Sequence, residues 1–175
     1  MIFRDRQPSA SVWRRFRSGA DDFTFRQEGD HYEARVVANA ERVVDLLHSL
    51  AEQLPPAVDV WIEDRREHVA WRGVAVALPD VRDAVARLKA PLAAYGGVEL
   101  AVYTPDDQLT LTPDLELYIY SRSDRWLYLL QGKGLNEVTY GDPEAWEFSA
   151  EALGAALELS DALTAVAERL GLEPQ

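Results

Sequence analysis

The chain of 175 residues contains no cysteine. Disulfide bridges, thiolate nucleophiles and cysteine-ligated metals are therefore excluded, and the sequence is compatible with a reducing compartment. No apolar run approaches the roughly 18 to 20 residues that a transmembrane helix needs. The first residues, MIFRDRQPSASVWRRF, lack the apolar core of a secretory signal. We therefore predict a cytoplasmic protein with no membrane partner.

Recognisable catalytic motifs are also lacking. The three histidines, His31, His48 and His68, are scattered and form no HExxH motif. Gly132-Lys133-Gly134 lacks the upstream glycine and the following serine or threonine of a phosphate loop, and no serine lies in a G-x-S-x-G elbow. We predict no cofactor, no metal site and no catalytic residue, so a non-enzymatic role is favoured over an enzymatic one.

Negative charge dominates the chain but is unevenly distributed. The net charge is −12, yet residues 1–17 carry five arginines and one aspartate, or 5 − 1 = +4, which leaves −16 for the remainder. Such an acidic body repels phosphate, so nucleic acid is a poor partner for it. Two interpretations of the basic N-terminus remain open: it contacts an anionic surface, or it pairs with the acidic body of its own chain.

The length and composition predict one globular domain. Residues 1–20 form a basic arm or a short helix in this interpretation, and residues 21–171 form the domain. A hairpin is predicted over 21–38, because two alternating runs flank Glu28-Gly29-Asp30. Thr104-Pro105-Asp106-Asp107 has the composition of a type I turn between strands.

Alternation with a period of two runs through residues 98–131 and predicts strands with one buried face. The aliphatic positions assigned to the core are Val98, Leu100, Val102, Leu115, Leu117, Ile119, Leu127 and Leu129. Apolar residues at three- and four-residue steps predict helices after Asn39, after Pro79 and from about Ser149 to Leu170.

The predicted elements repeat in the order strand, strand, helix. We therefore predict an α+β fold: an antiparallel or mixed sheet of about six to eight strands with helices mainly on one face. Chance similarity between unrelated elements of equal length is the alternative to a true repeat.

Aromatic and acidic residues occupy the positions opposite the aliphatic ones. Tyrosine and tryptophan combine a large contact area with a polar tip, and acids among them select a basic partner. The sequence thus predicts a protein-binding module of the kind that neutralises or escorts a basic partner, as immunity proteins and secretion chaperones do. Its predicted partner-binding residues are Trp61, Glu63, Tyr103, Glu116, Tyr118, Tyr120, Arg122, Trp126 and Tyr128.

Several alternatives compete with this interpretation. The basic arm folds over the aromatic surface, the surface is a homodimer contact, or its tyrosines are ordinary surface residues. A small-ligand receptor or enzyme with a pocket between the sheet and residues 132–146, lined by tyrosine and glutamate, is a further class. The last alternative is a structural subunit that acts only within a homo-oligomer.

Overall fold

A computed structural model describes residues 21–139 and 155–175, which contain four helices and nine strands. The helices are α1 (Ala40–Leu50), α2 (Leu78–Tyr95), α3 (Arg125–Gly132) and α4 (Leu157–Leu170). The strands are β1 (Asp22–Glu28), β2 (His31–Val37), β3 (Ala57–Asp64), β4 (Val69–Ala77), β5 (Val98–Tyr103), β6 (Asp107–Leu111), β7 (Leu117–Ser121), β8 (Asn136–Glu137) and β9 (Glu173–Pro174).

All nine strands belong to one sheet, in the order β8-β1-β2-β7-β6-β5-β3-β4-β9. Every neighbouring pair is antiparallel except β1 and β8, which are parallel. The two edge strands β8 and β9 have two residues each, so seven long strands carry the sheet. The predicted α+β class with a mixed sheet is confirmed.

Two hairpin–helix units account for the first half of the domain. In the first, β1 and β2 are joined at Gly29, whose φ of 63° is the left-handed conformation that glycine adopts readily, and α1 follows. In the second, β3 and β4 are followed by α2, which packs against α1. The strand-strand-helix order predicted from the sequence is therefore present twice.

The core lies between the helices and one face of the sheet. Directly opposed residues of antiparallel strands share a face, and one such row crosses five strands. This row consists of Ala34, Ile119, Leu109, Val102 and Val60, each at most 2% exposed. The buried sides of α1, α2 and α4 belong to the same apolar cluster. The helices thus cover one face of the sheet, as predicted.

The strand predicted across Leu127 and Leu129 is wrong, because this segment forms α3. Trp126 and Leu130 are fully buried and four residues apart, whereas Tyr128 between them is 63% exposed. That spacing places the two buried residues on one side of a helix. A short apolar run has no periodicity that separates a strand from a buried helix, which explains the error.

The second predicted helix can be compared with the structure, whereas the start of the last one cannot. Pro91 lies inside α2, and the helix continues to Tyr95 and ends at Gly96. The predicted start of the last helix at Ser149 and the basic arm of residues 1–20 lie outside the described residues. Within the described part of the chain, no helix is long and apolar enough to cross a membrane.

Candidate functional site

The face of the sheet opposite the helices carries most of the predicted partner-binding residues, and we call it the open face. The strand register defines it through two cross-strand rows. One row is Arg35, Tyr118, Thr110, Ala101, Trp61 and Arg72. The other is Glu33, Tyr120, Gln108, Tyr103 and Asp59.

Aromatic side chains flank the centre of the open face. Tyr118 and Tyr120, two residues apart on β7, stack with ring centroids 6.5 Å apart and planes 13° from parallel. Trp61 stands on β3, three strand spacings away, which is about 14 Å. The short side chains of Thr110 and Ala101 lie between them. We call the strip of sheet between Tyr118 and Trp61, with these two side chains as its walls, the trough.

The two tyrosines of β7 have pKa values raised above the ordinary value of a phenol. Burial raises the pKa of Tyr118, and the nearby Glu116 carboxylate raises it further. Burial and Glu33 raise the pKa of Tyr120 in the same direction. Both hydroxyls therefore remain neutral hydrogen-bond donors at physiological pH, and Tyr118 already donates to Glu116 over 3.3 Å.

One end of the open face is organised by two arginine–carboxylate pairs. Arg35 donates to both carboxylate oxygens of Glu116, from Nε over 2.9 Å and from Nη2 over 2.8 Å. This two-pronged geometry fits a guanidinium to a carboxylate, and both side chains are largely buried. Arg26 binds Glu33 at 2.7 Å in an exposed pair on the neighbouring strands. These arginines fix the carboxylates beside the stacked tyrosines.

The opposite end of the open face is more acidic. Glu63 and Glu99 stand directly opposite each other on β3 and β5, and Arg65 contacts both, at 3.2 Å and 2.9 Å. The shared guanidinium offsets the repulsion between like charges at a cross-strand pair. A structural role in pairing therefore accounts for these two carboxylates without a catalytic one.

Acids outnumber bases in the middle of this surface. The strands β2, β7, β6, β5 and β3, with the residue before β7, present five carboxylates, against Arg35 on the same strands and Arg26 and Arg65 beside them. These carboxylates are Glu33, Glu116, Glu99, Asp59 and Glu63. Local charge on the open face therefore follows the acidity of the whole body.

Six of the nine predicted partner-binding residues lie together on the open face. They are Trp61, Glu63, Tyr103, Glu116, Tyr118 and Tyr120. Arg122 is exposed in the connection from β7 to α3. Trp126 is fully buried in the core, and Tyr128 is exposed on α3, so both leave the predicted surface. Recognition by the six remains a prediction.

A polar cluster around Asp107 was missed from the sequence. The predicted turn at residues 104–107 is present, but the Asp107 carboxylate points away from it and joins three elements. It accepts hydrogen bonds from Ser121 Oγ (2.5 Å), Trp126 Nε1 (2.9 Å) and Arg125 Nη2 (2.9 Å). Asp107, Leu109 and Leu111 alternate along β6 and therefore point to the same face of the sheet. A carboxylate in this otherwise apolar series was the one sequence feature that could have indicated a buried polar cluster.

A shallow cavity of about 270 Å³ lies beside this cluster, where the β1–β2 turn, the β5–β6 turn and the β7–α3 connection meet. Its lining includes His31, Asp106, Asp107, Tyr120 and Arg122. Small-molecule sites usually enclose about 300 to 1,000 Å³. Across residues 21–139 and 155–175, no three His, Asp or Glu side chains are grouped to hold a metal ion.

Neither a family model, nor a curated protein, nor a solved structure matches this chain. Its own residues and their geometry are therefore what bears on function.

Proposed function

We propose that this protein is a non-enzymatic binding module that neutralises or escorts a partner protein, and that the open face is its docking surface. The observation that carries the proposal is the coincidence of aromatic walls and excess carboxylates on the one sheet face that the described helices leave uncovered. The same proposal includes a cytoplasmic location and the absence of a nucleic-acid partner, because the acidic body of the protein repels phosphate.

The residues of the trough suit a protein partner. Tyrosine and tryptophan supply large, rigid contact areas and dominate the energetics of protein interfaces. A separation of about 14 Å between Tyr118 and Trp61 admits one helix, whose diameter with side chains is about 10–12 Å, or an extended strand. Thr110 and Ala101, 9% and 5% exposed, form a floor of short side chains between these walls.

The charge of the open face selects a basic segment. Five carboxylates stand against Arg35, Arg26 and Arg65 in and beside its central strands, and this excess of negative charge gives lysine or arginine on the partner attraction and faster association. The same excess disfavours two copies docking face to face, because each copy presents identical acids. A homodimer through this surface is therefore the weaker alternative.

A small-ligand or enzymatic role has less support. The cavity near Asp107 is small and shallow, and the carboxylate of Asp107 is already bound by three donors. A larger cavity of about 600 Å³ between α2 and α4 is open to solvent, and its charged lining residues are Arg87, Glu168 and Arg169. Glu63 and Glu99 share Arg65 and do not converge on an enclosed space. A pocket involving residues 140–146 lies outside the described residues.

Affinity capture from the native host with matched tyrosine variants tests the proposal. The bait is the full chain as wild type, as Tyr118→Ala/Tyr120→Ala, and as Tyr128→Ala. Tyr128 is an exposed tyrosine on α3, away from the open face, so it controls for the loss of a phenol. Bound proteins are identified by mass spectrometry, and melting temperatures are recorded for each bait.

We expect the wild type and Tyr128→Ala to enrich the same basic protein, and Tyr118→Ala/Tyr120→Ala to lose it while remaining folded. Elution by salt is expected, since screening weakens attraction between exposed charges. Equal enrichment by all three baits, or an enriched protein without a basic segment, would refute the proposal.

A further inference from the structure

The chain carries a segment whose charge is the opposite of the open face. Residues 1–17 have a net charge of +4, while the other residues sum to −16. Arg14, Arg15 and Arg17 surround Trp13 and Phe16, so positive charge and aromatic area occur within five residues. Aromatic residues with arginine form the composition that most often anchors a protein interface.

This segment is tethered at the margin of the open face. β1 begins at Asp22, which pairs with Val37 on β2. Val37 is two residues from Arg35, which belongs to the same cross-strand row as Tyr118 and Trp61. The chain therefore enters the sheet near the end of that row.

The segment is also long enough to reach the whole trough. β1 and β3 are five strand spacings apart, or about 24 Å. Arg17 and Trp13 precede Asp22 by five and nine residues, which span at most about 17 Å and about 30 Å when extended. The segment therefore reaches Tyr118, two strand spacings or about 10 Å from β1, and Trp13 reaches Trp61 in an extended conformation. Tethering at this distance gives the segment a high effective concentration, about millimolar for a short flexible linker.

We infer that the basic segment of residues 1–17 is an intramolecular occupant of the trough, held by Trp13, Phe16 and their neighbouring arginines. The inference rests on the proposed docking role of the open face and specifies its first ligand. Arginines of the segment are placed among the carboxylates of the open face, and its aromatic rings contact Tyr118 and Trp61. A basic partner then competes with the segment for the same surface.

Competition lowers the apparent affinity for the partner. A surface that is free in one molecule of ten binds its partner about tenfold more weakly than a permanently free one. Because the segment carries the same charge as the expected partner, binding of the partner releases it. The inferred arrangement therefore makes the module selective for partners that outcompete a tethered ligand.

The full chain can be tested by attaching one spin label, because it has no cysteine of its own. A nitroxide on Ser11→Cys reports proximity by broadening nearby methyl signals in NMR spectra. Ala101 and Thr110 lie on the open face, and Ala86 and Ala165 are exposed on α2 and α4. A label on Thr164→Cys in α4 is the matched control and is expected to broaden Ala165 instead.

We expect the Ser11→Cys label to remove most of the Ala101 and Thr110 methyl intensity and to leave Ala86 and Ala165 intact. Arg14→Glu/Arg15→Glu/Arg17→Glu should restore the lost signals, as should about 1 M salt, which shortens the Debye length to about 3 Å. Broadening on the helix side, or on neither side, would overturn the inference. The result needs no partner, so it is independent of the capture experiment.

Discussion

The two faces of the sheet are built by the same strands but differ in what their side chains contact. On the core face, residues such as Ile119 and Leu109 are buried by α1, α2 and α4. On the open face, Tyr118 is only partly buried and Tyr120 is exposed, although both alternate with Ile119 on β7. Successive residues of one strand therefore alternate between packing in the core and partial exposure to solvent.

Polar groups show the same difference between the faces. The core face holds Asp107, whose carboxylate is enclosed by donors from β7 and α3. The open face holds several arginine–carboxylate pairs, from the largely buried Arg35 and Glu116 to the exposed Arg26 and Glu33. We interpret the first face as the determinant of folding and the second as a surface available for binding.

The largest expected difference comes from adjacent positions on β7. Ile119→Ala should lower the free energy of unfolding by about 3 kcal/mol, because it leaves a cavity in the core. Tyr118→Ala should lower it by about 1 kcal/mol, the upper range for a cross-strand contact on an open surface. Urea unfolding of the two variants measures both values. Equal losses would show that the open face is as structural as the core face.

Removal of the buried Asp107 carboxylate on the core face should have the next largest effect on the free energy of unfolding. Asp107→Ala leaves the donors of Trp126, Ser121 and Arg125 without their shared acceptor and should cost about 3 kcal/mol. Asp107→Asn keeps an acceptor oxygen and should cost roughly half as much. Thermal and urea unfolding give the comparison. A neutral Asp107→Ala would show that this cluster contributes nothing to the fold.

A glycine on β4 gives a smaller effect with a matched control. A Cβ at Gly73 would lie 2.4 Å from Leu172 Cδ2 and 2.7 Å from Val76 Cγ2, so Gly73→Ala forces the core face apart. We expect a loss of about 1–2 kcal/mol. Arg72→Ala, on the open face of the same strand, should change stability by less than about 0.5 kcal/mol. A reversal of this order would contradict the assignment of the faces.

The smallest effect concerns the ionisation of Tyr118 and Tyr120. Their pKa values are raised above the ordinary 10.0, so the folded chain binds these protons more tightly than the unfolded chain. The associated stability is complete below about pH 10 and is lost as pH rises through the folded pKa. Unfolding at about pH 8 and about pH 11 should show a larger decrease for the wild type than for Tyr118→Phe/Tyr120→Phe. An identical decrease would place both phenols in open solvent.

Much of the sheet was predictable because alternation is a local signal. Val98, Leu100 and Val102 alternate with Glu99 and Tyr103, and the structure places the two sets on opposite faces. Strand order was not predictable, since β2 pairs with β7 across 80 or more residues, and no local pattern encodes that pairing. The candidate site could not be predicted for the same reason. The row from Tyr118 to Trp61 exists only because β7, β6, β5 and β3 are adjacent in the sheet.

The wrong strand prediction at α3 and the missed contacts of Asp107 have a common physical origin. The apolar run around Tyr128 fits either a strand or a helix, and tertiary burial of Trp126 and Leu130 decides for the helix. The turn at residues 104–107 was predicted correctly, but the hydrogen bond that the Asp107 side chain accepts from the buried Trp126 was not. In both cases a local pattern was outweighed by contacts with residues distant in sequence.

The most direct test of the different roles of the two faces is an NMR titration of the full chain with the partner recovered by capture. The account predicts chemical-shift changes at the Ala101 and Thr110 methyl groups, between Tyr118 and Trp61, and none at Ala86 and Ala165 on the helices. Changes confined to Ala86 and Ala165 would contradict it, because the partner would then bind the helical side and leave the open face without a role in recognition.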